Sequence, residues 1–369
     1  MPQSETPTDR HRLAFRQALA GVPQGGRVAV LCHNDADGLS AGAVLARGLA
    51  AQGFEAVPRL VGRGESAWDG AVADGIGRVD PALVVVTDLG VRAEPVAPGR
   101  PTILIDHHVP QGVPREAVVV SGYGEDPTPS SSLLAYRCLE ALGNMKPLLW
   151  IAALGMIGDY GEKASFPELA QAREGATAKI LREATSLINA PRRSASGDAA
   201  PAFDLLMRAG SPEEIVSGEH PETALLQAAR DEVKRELDAA RRLPPRFAGP
   251  VALIVMHSPC QIHPLVAQSW TGRLRKQIVI AANTGFREGY VHFAARTAGG
   301  QNLVRFLREH APAGADPKAY GQGHEGASGG ALPLADWELF LQGLGFSPEG
   351  RASRAGGRTS AGERQGKSA

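Results

Sequence analysis

From residue 27 the chain alternates short apolar, largely β-branched runs with stretches patterned as helices: "RVAVLCH", then "LSAGAVLARGLAAQG", then "EAVPRLVG", "ALVVVTDLG", "TILIDHH" and "AVVVSG". Strands that are apolar on both faces must be covered on both faces, which is how a parallel sheet between helical layers reads. The pattern predicts an α/β chain whose N-terminal half is an open parallel sheet. Helical patterns follow in "PSSSLLAYRCLEALG", "PLLWIAALGMIG" and most of 168–190. The stretch "PETALLQAARDEVKRELDAARRL", which stops at Pro244 and Pro245, is the expected connector. A smaller α/β unit comes next, with "VALIVMH", "QIVIAANTG" and "YVHFAAR", a helix near 263–274, the helix "QNLVRFLREH" and a glycine-rich loop at 321–330. The expected boundaries are an N-terminal extension at 1–26, a first domain at 27–220, the connector at 221–245, a second domain at 246–348 and a tail at 349–369. That tail has too little apolar surface to order itself and is expected to be disordered.

Composition narrows the functional classes. Lys+Arg and Asp+Glu balance at 39 each, so no whole-molecule field draws in a polyanion and nucleic-acid contact must come from a local patch. Cys32, Cys138 and Cys260 form no C-x-x-C pair, which argues against a disulfide framework or a structural zinc site and fits a reducing cytoplasm. The sequence shows neither an apolar signal core nor a run near the ~20 apolar residues of a spanning helix, so no membrane role is expected. Nothing in the sequence indicates an oligomeric state.

Acidic and histidine side chains recur where predicted strands or an apolar helix end. They are His33, Asp35 and Asp37 in "HNDADG", Asp88 in "VVVTDLG", Asp106, His107 and His108 in "ILIDHH", and Asp159 in "IGDYG". In open α/β sheets the carboxyl ends of the strands line the ligand crevice, so these distant positions are expected to converge. An isolated Asp after a strand reads equally well as a helix cap or turn former. Caps do not call for imidazole, however, and the combination reads as a mixed oxygen and nitrogen ligand set suited to Mn²⁺, Fe²⁺, Co²⁺ or Zn²⁺ rather than calcium. The ligands suffice for two metals, an arrangement that activates water and clamps a phosphate ester, which points to phosphoester hydrolysis. Cys32, next to His33, should face the opposite side of its strand as a small core residue.

"HNDADG", "TDLG", "DHH" and "GDYG" resemble the four motifs of the DHH phosphoesterases, and "YVHFAARTAGG" with "GQGHEGASGG" resembles the accompanying DHHA1 domain; the resemblance spans roughly residues 27–347. It implies that His33, Asp35 and Asp88 hold one metal, with Mn²⁺ the expected ion. Asp37, Asp88, His107 and Asp159 would hold the second, with Asp88 as the bridge. His108 would point toward the phosphate or orient a ligand, and Asp106 would hold an imidazole in its tautomer. The nucleophile would be hydroxide activated by the two metals, with no serine or cysteine required. In the second domain, Arg296 and the loop residues Gly321, Gly323 and His324 would grip the substrate phosphate or terminal nucleotide. Asn189, Arg192 and Arg193 in "INAPRRSASG" could face the cleft, and a solvated basic turn explains them equally well.

The two-residue step from His33 to Asp35 differs from the longer H-x-x-P-D-x-D of relatives that cleave pyrophosphate or very short oligoribonucleotides, and resembles the RecJ-like exonuclease branch. Bacterial RecJ also carries an OB domain that nothing after residue 347 could supply, so a reduced two-domain enzyme is implied. Gln322 replaces a glycine of the more frequent "GGGH". The expected activity is an exonuclease on single-stranded or short oligonucleotides that releases nucleoside monophosphates. The alternatives are a small-nucleotide phosphatase, a phosphodiesterase of cyclic dinucleotides or very short RNA, and, from another class, a non-catalytic nucleic-acid-binding partner.

Overall fold

The structure, a computed structural model, describes residues 6–160, 165–316 and 320–346, excluding the side chains of Gln322 and His324. It divides into two compact units, the first running to Ala239 with 259–262 added, the second comprising Ala240–Ser258 and the chain from His263. The residues expected to form a disordered tail, 349–369, lie outside the described residues.

In the first unit the elements are α1 (Pro7–Leu19), β1 (Arg27–His33), α2 (Ala36–Ala51), β2 (Glu55–Val61), α3 (Gly70–Val79), β3 (Leu83–Thr87), β4 (Thr102–Asp106) and β5 (Ala117–Ser121). The helices α4 (Ser131–Glu140), α5 (Leu149–Tyr160), α6 (Pro167–Gly175), α7 (Ala178–Asn189), α8 (Ala200–Arg208), α9 (Pro212–Ser217) and α10 (Pro221–Ala240) follow. All five strands are parallel, in the order β2-β1-β3-β4-β5. The chain leaves β1 in one direction to build β2, then returns past β1 to build β3. The carboxyl ends of β1 and β3 therefore flank the topological switch point, where such sheets bind ligands.

Side-chain alternation supplies two cores. Val28, Val30 and Cys32 of β1 enter one, with Leu83 and Val85 of β3, whereas Ala29 and Leu31 enter the other, with Val84 and Val86. Cys32 lies in the first core as its alternation predicts: a Cβ at Gly42 of α2 would come within 2.5 Å of its sulfur, and burial pushes the thiol pKa up. The segment expected as an extension contains α1, capped by Thr6, and buries Phe15 and Leu19 in that same core.

The second unit contains β6 (Arg246–Ala248), β7 (Val251–Met256), α11 (His263–Thr271), β8 (Ile278–Arg287), β9 (Tyr290–Thr297), α12 (Leu303–Glu309), β10 (Tyr320–His324), β11 (Ala327–Pro333) and α13 (Leu334–Gly343). Its mixed sheet runs β10-β11-β9-β8-β7-β6, with only β7 and β8 parallel and α11 between them in sequence. Phe293, Tyr320, Trp337 and Phe340 form its aromatic core. Residues 321–330, expected as a loop, instead form most of a hairpin of β10 and β11 with β10 at the sheet edge. The glycines permit this: a Cβ would come within 2.4 Å of the Ala327 carbonyl at Gly323 and within 2.4 Å of the Phe293 carbonyl at Gly329.

Because Phe15 is fully enclosed, Phe15→Ala should destabilise the first unit by about 3–5 kcal/mol in chemical denaturation. A change under about 1 kcal/mol would show that α1 is not integral to that core.

Candidate metal centre

The turn after β1 sets the first motif. Asp35 caps α2, its Oδ1 accepting from the Gly38 amide at 3.1 Å. The turn is so tight that a Cβ at Gly38 would lie 2.5 Å from His33 Cβ and 2.6 Å from its carbonyl oxygen. The other oxygen of Asp35, Oδ2, faces His33 Nδ1 at 3.1 Å. The cap thus uses one oxygen of the carboxylate and leaves the other facing the imidazole.

Asp37, in the first turn of α2, is buried. Its carboxylate accepts from the amides of Ser131 (2.7 Å) and Ser132 (3.0 Å), where the positive end of α4 favours a negative charge. Asp88 follows β3 with a left-handed backbone (φ 62°), an uncommon conformation that Asp tolerates better than most residues. That backbone aims its carboxylate between His33 Nδ1 (3.4 Å) and His107 Nε2 (3.5 Å), and Ser131 Oγ donates to Oδ1 at 3.0 Å.

His107 Nε2 also lies 3.3 Å from Asp159 at the end of α5, while its Nδ1 is 2.7 Å from the Tyr160 hydroxyl, which leaves Nε2 facing the carboxylates. Asp106 is buried and accepts from the amides of Gly90 and His108, each at 2.7 Å, and its Oδ1 lies 3.0 Å from His108 Nδ1. The imidazole it orients is therefore that of His108.

Potential ligand atoms lie within 4.8 Å of one another in three sets: His33, Asp35 and Asp88; Asp37, His107 and Asp159; and Asp88, His107 and His108. With Asp106 tied to His108, the chain thus brings together all eight motif residues. The carboxylate and imidazole donors, with no thiolate, fit a divalent transition metal.

Several contributors carried no recognised signal in sequence. Ser131, Ser132 and Tyr160 orient Asp37, Asp88 and His107. The turn at 191–193 is not simply a solvated basic turn: Arg192 pairs with Asp35 Oδ2 at 2.5 Å, and, just before it, Asn189 Oδ1 accepts from the Ala36 amide at 3.3 Å. Ser130 caps α4, its Oγ accepting from the Leu133 amide at 3.4 Å.

Arg296 lies on β9 of the second unit, where it donates to the carbonyls of Ala295 (3.0 Å) and Ser328 (3.4 Å); burial lowers its pKa. Gly321 and Gly323 lie on β10 with positive φ (69° and 122°). His324 pairs with Ala327 through the backbone, and its side chain lies outside the described residues.

Burial and the neighbouring Asp37 and Asp88 charges push Asp159 well above the usual carboxylate range. Burial, then Asp88, raises Asp37 to about 6. Burial works against the charged form of His33, but the adjacent Asp35 and Asp88 carboxylates outweigh it and raise the ring to about 10. Like charges packed this closely off water hold protons until cations replace them.

Residues 27–158 match the model of the DHH family, N-terminal domain. Over that stretch the chain is similar to the DHH family, and it carries there the parallel sheet and the acidic and histidine cluster described above. No curated protein matches it by sequence. Among solved structures it is similar to RecJ of Thermus thermophilus in complex with Mn²⁺, at 19% identity and a TM-score of 0.68, over 93% of this chain and 55% of that one. It thus spans about half the length of that RecJ. An exonuclease RecJ bound to manganese matches at 21% identity and a TM-score of 0.68, over 93% and 95% of the two chains. The DHH domain of a member of the s1p family of ribosomal proteins matches at 14% identity and a TM-score of 0.64, over 92% and 89%.

Two outcomes are expected. A Cβ at Gly155 of α5 would lie 2.2 Å from Ser132 Oγ and 2.6 Å from Asp37 Oδ1, so Gly155→Ala should cost about 1–3 kcal/mol and weaken Mn²⁺ binding, read by denaturation with and without the ion. Because Asp37, Asp159, His33 and His107 all have raised pKa values, each favours its protonated form more than usual and must lose that proton to ligate. Metal affinity should therefore rise with pH across roughly 6–10, with protons released on binding, as calorimetry in buffers of different ionisation enthalpy will measure.

Proposed function

We propose that the chain is a divalent-metal-dependent phosphodiesterase, an exonuclease on single-stranded or short oligonucleotides that releases nucleoside monophosphates. The observation that supports this most is the sharing of Asp88 and His107 among the three donor sets, which suits a pair of cations better than a single one. When bound, such a pair supplies hydroxide at neutral pH and Lewis-acid stabilisation of the phosphate.

The side chains divide the work. His33 and Asp35 would hold one ion and Asp37, His107 and Asp159 the other, with Asp88 between them. His108, half exposed and tied through Nδ1 to Asp106, has its pKa raised by that carboxylate. It is placed to donate a proton or hydrogen bond to a phosphate oxygen. The second unit is proposed to act as a DHHA1 domain, with Arg296, Gly321, Gly323 and His324 seating the terminal nucleotide.

Manganese is the proposed ion, because imidazole-containing sites suit it better than Mg²⁺, which favours oxygen ligands and retained water. A balanced net charge favours short substrates over long duplexes. Three buried free cysteines accord with the reducing cytoplasm proposed as its location. No helix among the described residues is long and apolar enough to cross a membrane.

The test is incubation with Mn²⁺ and end-labelled DNA and RNA of increasing length, alongside small nucleotides. Hydrolysis of oligonucleotides to monophosphates is expected. Asp88→Asn tolerates the left-handed backbone but removes the charge, so it should lose at least about 100-fold in kcat/KM with circular dichroism unchanged. Full turnover in that variant, or no hydrolysis with any metal, would overturn the reading.

A further inference from the structure

We infer that Arg92 and Trp68 form a second anion subsite beside the metal centre, one that takes a phosphate of the nucleotide strand next to the phosphate being cut. The inference rests on the phosphodiesterase reading and names how that site would engage a substrate with more than one phosphate.

A cavity of about 410 Å³ within the first unit is bounded by the metal-centre residues His33, Asp88 and His108 and also by Trp68 and Arg92. Trp68 lies between β2 and α3, and Arg92 lies between β3 and β4. Both loops follow the carboxyl ends of strands near the switch point, where a ligand of such a sheet sits.

The pair is held in place before any ligand arrives. The guanidinium carbon of Arg92 lies 4.3 Å from the centre of the Trp68 ring. Trp68 Nε1 donates to the Glu94 carbonyl at 2.9 Å, and the backbone of Arg92 forms an isolated parallel bridge with Gln111. This cation–π contact does not consume the five N–H donors of the guanidinium as a carboxylate would, so a fork of them remains for a bidentate acceptor.

Among the described residues no carboxylate lies within ion-pair distance of Arg92. The acidic side chain of Glu65, which also lines the cavity, is already engaged by Arg59 at 3.0 Å and by the Gly62 amide at 3.0 Å. A fixed cation with unspent donors thus shares one cavity with a centre suited to a scissile phosphate. A substrate with one phosphate would leave that fork unmatched; a strand offers the next phosphodiester.

The test compares thymidine 5′-(p-nitrophenyl phosphate), which has a single phosphate, with pentathymidylate, using wild type, Arg92→Ala and Arg92→Lys with Mn²⁺. For Arg92→Ala, the loss in kcat/KM should be at least about tenfold larger on the pentanucleotide, mainly through KM, and Arg92→Lys should recover only part of it. Binding of fluorescein-labelled pentathymidylate is measured in parallel by anisotropy in EDTA, without turnover. There Arg92→Ala should reduce the slope of log Kd against log salt by about one. Equal losses on both substrates, or an unchanged salt slope, overturn the subsite. If wild type cleaves neither substrate, the phosphodiesterase reading fails instead, and the salt slope still decides the subsite.

Discussion

Buried carboxylates crowded at the ends of adjacent parallel strands repel one another, and much of the first unit is arranged around containing that repulsion. Asp37 rests on two amides at the start of α4, Asp88 accepts from Ser131 Oγ, Asp35 is paired with Arg192, and Asp106 is saturated by two amides and an imidazole. Each contact stabilises a charge without filling the space between the groups. What remains is a crowded centre in which Asp37 and Asp159 hold protons above the usual carboxylate range, an arrangement suited to exchanging those protons for cations.

Rigid packing makes this geometry reproducible. Strands β3 and β4 are buried along their whole length, so the residues at and just beyond their ends are anchored by two apolar layers. Glycines set the closest approaches: Gly38 lets the first turn fold back on His33, and Gly155 lets α5 lie against Asp37 and Ser132. The left-handed backbone of Asp88 is local strain at the residue that faces both histidines, where such strain is commonly found.

The proposed reading gives each unit a distinct role. Under it, cations and scissile phosphate would belong to the parallel-sheet unit, and recognition of the terminal nucleotide to the mixed-sheet unit. The hairpin of β10 and β11 gives the glycine-histidine segment the form of an edge ribbon, in which glycine permits backbone-to-backbone contact that a Cβ would block. A stacked arginine and tryptophan in the first unit extend the proposed phosphate recognition along a strand.

The parallel sheet, its helical cover and the placement of the motif residues at element ends were legible in the sequence, because apolar runs and their polar ends are local patterns that burial enforces. The two-residue spacing of "HNDADG" marked His33, Asp35 and Asp37 as candidate ligands, and alternation along β1 placed Cys32 in the core. The supporting shell was not legible. Ser131, Ser132, Tyr160 and Arg192 lie 43 to 157 residues along the chain from the aspartates and the histidine they hold. Nothing in a serine run or a basic turn states what its amides or guanidinium will meet. The hairpin at 321–330 was hidden for a related reason: glycine's lack of a side chain reads locally as a loop, and only the neighbouring strand β9 turns that permissiveness into a sheet edge. Sequence determined which groups are available for chemistry, since that depends on side-chain type at strand ends; tertiary structure decided their partners, since hydrogen bonds between distant segments depend on how the chain packs.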